Sequence, residues 1–301
     1  MIVEGEQRED TIVYEVEKKD DGESMKEVLK KRLQVSSRLL TKLKKKESIF
    51  LNNHYVKYHE SVKQGDIIKI SMVEEPSQFE KEAIPFSVIY EDVDVIIVNK
   101  QPGIVTHPTK SHPIGTIANA AQYYLSKKNI HSRIRFVNRL DMDTSGLLII
   151  AKNPYAHHIL SEQMQQDQVE KRYIAFIEGV MEKDFDTVIE PIYRPTFDSI
   201  KRVVDERGQK SITKYSVLER YKKATMIEVQ LLTGRTHQIR VHMAHLGHPL
   251  IGDSLYGSSS SLIHRQALHA SYLKFLQPRY REIVEIRGDL PEDLKQLQHQ
   301  L

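Results

Sequence analysis

Val137-Asn138-Arg139-Leu140-Asp141-Met142-Asp143-Thr144-Ser145-Gly146 runs directly into the apolar stretch Leu147-Leu148-Ile149-Ile150-Ala151. Side chains of an extended chain alternate faces with period two, so Arg139 and Asp141 are expected on one side. Thr144-Ser145-Gly146 reads as a turn, and the apolar run after it reads as a strand buried on both faces. Charge is thereby set at the rim of a dry core, where chemistry is usually done. On these residues alone the bland alternative, a surface ion pair beside an ordinary turn, stands level with a functional one.

A second stretch breaks the tie. Leu231-Leu232-Thr233-Gly234-Arg235-Thr236-His237-Gln238-Ile239-Arg240-Val241-His242 is followed by Gly247-His248-Pro249-Leu250-Ile251-Gly252-Asp253. With the Asp141 stretch it resembles the signature of the RluA-type pseudouridine synthases, which isomerise uridine in RNA. Val98-Asn99-Lys100-Gln101-Pro102-Gly103-Ile104-Val105-Thr106-His107-Pro108 is similar to that family's opening motif, and Lys171-Arg172-Tyr173-Ile174-Ala175 to its third. The blocks occur in the family's order from about residue 84 to about residue 278.

Composition is compatible with this and excludes other classes. The chain of 301 residues, 40% hydrophobic, is long enough for one large domain and a small one with a sizeable core. It has no cysteine, hence no disulfide, thiolate nucleophile or thiolate metal site. No signal peptide and no apolar run of about 18 residues is visible, so a cytoplasmic protein with no membrane partner is expected. The net charge of +3 hides a polarised chain: residues 24–72 carry twelve basic against four acidic side chains, residues 1–23 three against nine. A concentrated positive segment binds polyanions through counterion release.

Within that segment Met25, Val28, Leu29 and Leu33 fall at helical spacing, and Ser36-Ser37 caps a second helix to about Lys46. Leu39, Leu40 and Leu43 should face inward, leaving Arg38, Lys42, Lys45 and Lys46 as an outer basic stripe, either a solvated face or an RNA contact. Short strands follow at Ile49-Phe50-Leu51 and over 62–70, separated by an Asn52-Asn53 turn. The whole resembles the alpha-L RNA-binding module that precedes the catalytic domain in many of these synthases. Thr11-Ile12-Val13-Tyr14-Glu15-Val16 alternates as an edge strand of an N-terminal extension over 1–23, and the polar stretch 73–83 reads as a linker.

The main domain, 84–301, is expected to hold strands near 93–98, 173–177, 215–219 and 226–231, helices near 115–125 and 156–165, and an irregular segment from 182 to about 211 whose Arg194, Lys201, Arg202, Arg207 and Lys210 are candidate RNA contacts. Many strands with few helices between them point to a largely antiparallel α+β domain. The resemblance implies a central mixed sheet split by a catalytic cleft.

The resemblance also assigns roles. Asp141 takes the place of the catalytic carboxylate, and Arg235 that of the cation keeping it ionised in a closed pocket. Tyr173 matches the residue that packs on the target base, Arg139 the one that fills the gap left when the nucleotide is flipped out, and Ile239 an apolar wall. Asn138 stands where the family more often has histidine, and Asp143 lies at a variable position, so no acid/base pair with Asp141 is inferred. No cofactor or metal is called for, RNA is the partner (large-subunit ribosomal RNA first, transfer RNA second), and a monomer is expected. Two rivals remain: an inactive RNA-binding relative serving ribosome assembly, and a metal-dependent RNA hydrolase using His237, His242, His245 and His248, for which no acidic ligand set is evident.

Overall fold

The computed structural model describes residues 1–72, 77 and 79–301. The first part contains strand β1 (Thr11–Glu15), helices α1 (Met25–Lys31) and α2 (Ser37–Lys45), and strands β2 (Ile49–Leu51), β3 (His54–Tyr55) and β4 (Ile67–Ser71). Both helices start on a serine: Ser24 forms a reciprocal capping box with Glu27, and Ser36 accepts the Leu39 amide. These caps satisfy backbone donors that would otherwise be orphaned, each contributing about 1 kcal/mol. The hairpin between β2 and β3 turns at Asn52 and Asn53, both at positive φ (49° and 66°), a conformation asparagine tolerates. The strands order as β1-β4-β2-β3. β1 pairs with β4 along its full length, so the N-terminal segment shares one sheet and one core with the basic segment.

The remainder comprises β5 (Ser87–Glu91), β6 (Val95–Lys100), α3 (Ile117–Lys127), β7 (Arg135–Phe136), β8 (Ser145–Ala151), α4 (Pro154–Gln165), β9 (Glu170–Glu178), β10 (Phe185–Ile189), β11 (Ile192–Tyr193), β12 (Val203–Val204), β13 (Ile212–Arg220), β14 (Ala224–Leu231), α5 (Gln238–His245), β15 (Leu268–Leu276), β16 (Ile283–Arg287) and α6 (Glu292–Gln300). The large sheet runs β10-β13-β14-β9-β15-β8-β6-β5, with β16 added on β15 and β7 on β8. Every pairing is antiparallel except β15 with β8, which is parallel and joins only His269 to Ser145 and Ala270 to Gly146. The sheet is therefore mixed and largely antiparallel, as expected, and it opens where β8 and β15 part. Gly146 permits that junction: at φ +115° a Cβ there would lie 2.2 Å from the Ala270 carbonyl oxygen.

Alternation along β6 and β8 builds two cores. Ile96, Val98, Leu148 and Ile150 face one side with Tyr173 and Ile239, whereas Val95, Ile97, Leu147 and Ile149 face the other with Leu273 and Phe275. β8 is buried at every position, matching its uninterrupted apolar sequence. The segment expected to be irregular in fact supplies β10, the edge of the large sheet, whose Phe185 and Ile189 stay exposed; half-wet edge strands carry no strong apolar signal.

The small unit is seated on the large one. Tyr155 and Ile159 of α4 complete its apolar core. Arg279, fully buried, pairs with equally buried Asp94 at 2.9 Å and also donates to Gln7 Oε1 (3.0 Å) and the Thr11 carbonyl (2.6 Å). Breaking one partner of such a pair costs about 3–5 kcal/mol, so this junction holds the small unit in a set orientation. Of the expected linker, residues 73–76 and 78 lie outside the described residues. Phe79 packs on the main core, the Glu80 carbonyl accepts from Asn119 Nδ2 (3.0 Å) and the Glu82 carboxylate from the Gly115 amide (3.0 Å).

Candidate active site

Asp141 lies between β7 and β8, over the opening of the sheet. The chain enters through two bonds of Asn138, which donates Nδ2 to the Leu147 carbonyl (3.4 Å) and accepts the Ile149 amide at Oδ1 (2.8 Å). Asn138 thus acts by clipping the loop to β8, a role the sequence left open. Leu140 is buried, and the Thr144 amide closes a turn on the Asp141 carbonyl (3.1 Å). The turn therefore comes three residues earlier than expected, and Ser145 and Gly146 already belong to β8. Asp141 is not on an extended strand, so the period-two argument does not relate it to Arg139.

The second stretch folds around Gln238, the first residue of α5. Its Oε1 accepts from the Arg235 amide (3.0 Å) and Thr233 Oγ1 (2.9 Å), while Nε2 reaches the Ile212 carbonyl and Thr213 Oγ1, each at 3.0 Å. His237 takes a left-handed conformation (φ 59°) to make the entry. The first turn of α5 then aims Ile239 and Arg240 at Asp141.

Here one expectation is corrected. Arg235 is not the cation on Asp141: its side chain is exposed at the cleft edge and, among the described residues, its Nε reaches only the Lys210 carbonyl, at 3.4 Å. The partner is Arg240, whose Nη1 donates to Asp141 Oδ2 at 3.2 Å. Its Nε and Nη2 grip the buried carboxylate of Asp253 at 2.7 and 2.8 Å. Asp253 Oδ1 is itself held by the amides of Leu255 (3.1 Å) and Tyr256 (3.2 Å). Burial works against charge on Arg240, but the hydrogen bonds and charges of Asp253 and Asp141 outweigh it and raise its pKa above the ordinary value. A planar fork with two faces of donors is what allows one side chain to serve two carboxylates. Arg240 stands five positions after Arg235 in the same motif, and only the helix start distinguishes them.

His237 completes the ring around the carboxylate. Its Nε2 lies 3.8 Å from Asp141 Oδ2 and its Nδ1 2.9 Å from the Tyr256 hydroxyl, which accepts the Arg202 amide at 2.8 Å. Burial lowers its pKa, with Asp141 opposing, so the ring is neutral near pH 7. Tyr256, which the sequence did not single out, also lies under the Arg240 guanidinium (5.1 Å).

The cleft these elements enclose has a volume of about 750 Å³. Tyr173 and Ile239, 7% and 3% exposed, form its apolar wall, Asp141 sits on its floor with a side chain 30% exposed, and Arg139 stands exposed at the mouth. Burial and then the Asp141 charge push the Tyr173 phenol upward, so it stays protonated. The expected cleft residues are therefore gathered in one place. Lys100, fully buried behind the loop, was not anticipated as a site residue. Its Nζ donates to the carbonyls of Gln101 (2.9 Å), Ile104 (2.8 Å) and Met142 (2.7 Å). Burial drives its pKa down, against Asp143 and Asp141, yet three carbonyl acceptors match the three donors of an ammonium. A smaller cavity, about 300 Å³ near Asp167, Lys274 and Ile283, carries no such constellation.

The four histidines of the hydrolase alternative disperse. Buried His242 bonds Thr213 Oγ1 (2.8 Å) and the Glu190 carbonyl (3.0 Å), His248 the Glu178 carbonyl (2.9 Å), His237 Tyr256, and His245 is exposed. Among the described residues no three His, Asp or Glu are grouped to hold a metal ion. On α2, Leu39, Leu40 and Leu43 are buried; Arg38, Lys45 and Lys46 are exposed and Lys42 half-buried. Lys42 and Lys46 line a shallow crease closed by Pro154 of α4, so part of the basic stripe borders the large unit.

A held carboxylate stands beside an aromatic wall in a cleft of about 750 Å³ rimmed by arginines, an arrangement with room and charge to admit a nucleotide turned out of its strand. Residues 94–245 match the family described as RNA pseudouridylate synthase. An uncharacterized RNA pseudouridine synthase of Bacillus subtilis, YjbO, is 38% identical over 88% of this chain and 95% of its own length. Ribosomal large subunit pseudouridine synthase D of Haemophilus ducreyi is 38% identical over 77% of this chain and 76% of its own. Among solved structures, human RNA pseudouridylate synthase domain containing 1 superposes with a TM-score of 0.59 at 28% identity, over 72% of this chain and 87% of that one. The chain belongs to the RluA-type, RluD-like branch of the RNA pseudouridine synthases and is an isomerase of uridine in RNA. Among the described residues no helix is long and apolar enough to cross a membrane.

Proposed function

We propose that this synthase modifies uridines of large-subunit ribosomal RNA, with Asp141 as the catalytic carboxylate and no cofactor. The observation that carries the reading is the bracket Asp141–Arg240–Asp253 facing Tyr173 and Ile239 inside one cleft. The reaction breaks the bond between the ribose and the ring nitrogen, turns the base, and rejoins it through a ring carbon that gives up its hydrogen as a proton. An anionic group beside the sugar and base is required throughout, and Asp141 supplies it. Arg240 pairs with that group and orients it while the buried Asp253 keeps Arg240 in place. Tyr173 stacks on the base, and Arg139 fills the vacated position in the RNA helix.

The rest of the RNA is held by charge. Arg38, Lys42, Lys45 and Lys46 of α2 contact phosphates, and the segment 194–202 forms a second contact. Arg194 and Arg202 there bond the Ser199 carbonyl at 3.1 and 2.8 Å, and Phe197 projects beside them, 86% exposed. The ribosomal substrate is favoured by the relatives named for the large subunit.

The test uses ribosomal RNA transcripts tritiated on the uridine ring carbon that becomes the glycosidic attachment, incubated with chelator, comparing wild type with Asp141→Asn. Tritium release by wild type alone, with RNA affinity retained in the variant, is expected. Tight binding without release from any ribosomal or transfer RNA marks an RNA-binding protein on a synthase scaffold.

A further inference from the structure

In the loop that carries Asp141, four successive carbonyls, those of residues 140–143, are each hydrogen-bonded. Leu140 O accepts from Thr106 Oγ1 (3.0 Å), Asp141 O from the Thr144 amide (3.1 Å), Met142 O from Lys100 Nζ (2.7 Å) and Asp143 O from Arg265 Nη1 (3.0 Å). The side chains that follow are also held: Thr144 Oγ1 accepts from Gln266 Nε2 (3.2 Å), and Ser145 Oγ accepts from Arg265 Nη2 (3.3 Å) and lies 2.9 Å from His269 Nδ1. Three of these partners, Arg265, Gln266 and His269, lie more than 120 residues downstream in a single stretch. The loop is therefore shaped from behind by Arg265, Gln266 and His269, which stand outside the cleft lining although their neighbour Leu268 belongs to it.

Arg265 is the centre of that segment. It is 7% exposed, and Nη1 additionally reaches the carbonyls of Gln266 and Leu268, both at 3.2 Å. Its other edge is anchored on a separate element: Nε and Nη2 form a bidentate pair with Asp293 at 2.6 and 3.0 Å. Asp293 sits in the first turn of α6, where the helix dipole favours a carboxylate. α6 is fastened by Leu294 and Leu297, both wholly buried against Phe176, Ile251, Ile263 and Ala267. A guanidinium has five donors in a rigid fork and can serve carbonyls on one edge and a carboxylate on the other; an ammonium cannot span both.

We infer that Arg265, held by Asp293 of the C-terminal helix, is a positioning residue for the reaction: it sets the turn that aims the Asp141 carboxylate, so α6 acts on the chemical step across the molecule. This rests on Asp141 being the catalytic carboxylate. A misplacement of about 1 Å in a reacting group costs on the order of a hundredfold in rate, so a loop defined by its carbonyl bonds is sensitive to losing one of them.

The experiment measures single-turnover tritium release and RNA affinity separately for wild type, Asp141→Asn, Asp293→Asn, Arg265→Lys, Arg265→Met and the double variant Arg265→Met/Asp293→Asn. Asp293 is 40% exposed at its side chain, so the isosteric Asp293→Asn keeps the fold. Asp293→Asn is expected to slow release about 3- to 10-fold with RNA affinity unchanged, and Arg265→Met about 100-fold. Arg265→Lys should recover part of the loss, and the double variant should be no slower than Arg265→Met, because both act on one path. A rate for Asp293→Asn within twofold of wild type, affinity falling in step with rate, or multiplicative losses in the double variant overturns the inference. Should Asp141→Asn itself release tritium, the assignment of Asp141 fails instead, and the positioning role falls with it; an inactive Asp141→Asn beside an unaffected Asp293→Asn removes the positioning role alone.

Discussion

Replacing Arg240 tests the site most directly, because two consequences of opposite origin can be separated. Arg240 Nη1 lies 3.2 Å from Asp141 Oδ2, which at an effective dielectric of about 20 corresponds to about 5 kcal/mol. The Asp141 side chain is 30% exposed, so screening reduces this to about 2–3 kcal/mol, or roughly 30- to 150-fold in the rate of the chemical step. Arg240→Met also leaves the wholly buried Asp253 carboxylate without its countercharge, at a cost of about 3–5 kcal/mol of stability. Adding Asp253→Asn removes that charge while its oxygen still accepts the amides of Leu255 and Tyr256. The double variant should therefore regain most of the lost stability in urea unfolding yet keep the full catalytic defect in single-turnover tritium release. Arg235→Met should alter the same rate less than about fivefold, since that side chain makes no contact with Asp141. A double variant as fast as wild type, or a larger rate loss from Arg235→Met, refutes the assignment of Arg240.

Neutralising Lys42, Lys45 and Lys46 together should weaken RNA binding and lower the slope of log affinity against log salt by about 2–3, read from filter binding at several salt concentrations; an unchanged slope removes α2 from the interface. Tyr173→Phe keeps the ring and should leave kcat/KM near wild type, whereas Tyr173→Leu should lose about 1–3 kcal/mol, and equal effects of the two would mean that the ring does not stack. Burial holds the His269 imidazole down at about 4 from its ordinary 6.5. Between those values the unfolded chain binds a proton that the native chain does not, so native stability is lost as pH falls from about 6.5 to about 4, by about 3 kcal/mol in total. His269→Gln should flatten that acid limb in urea titrations, and an identical limb in the variant would assign the acid sensitivity to another group.

How far each feature was legible depended on whether its cause was local. The capped helix α2 with Leu39, Leu40 and Leu43 inside, the Asn52-Asn53 turn, the buried strand β8 and the successive strands β13 and β14 all follow from interactions within a few residues or between neighbours in the chain. β5 and β10 were not legible, because an edge strand with one wet face carries only a weak apolar pattern. The motifs likewise indicated which residues share the cleft, and Asp141, Tyr173, Ile239 and Arg139 are found lining it.

The sequence by itself determined the family, because ordered motifs are written in one dimension, and the strand-rich, largely antiparallel domain, because period-two and helical patterns are too; the mixed sheet, the cleft and the residues expected in it came from the family resemblance. Only the tertiary structure decided which arginine meets Asp141, what Asn138 does, and how Lys100, Arg265 and Asp293 hold the loop. Hydrogen-bond partners 99 residues apart, as Asp141 and Arg240, or 122 apart, as Asp143 and Arg265, are chosen by where the sheet opens and where α5 and α6 begin. Arg235 and Arg240 differ by five positions in a line, but a helix start between them turns one outward and the other onto the carboxylate.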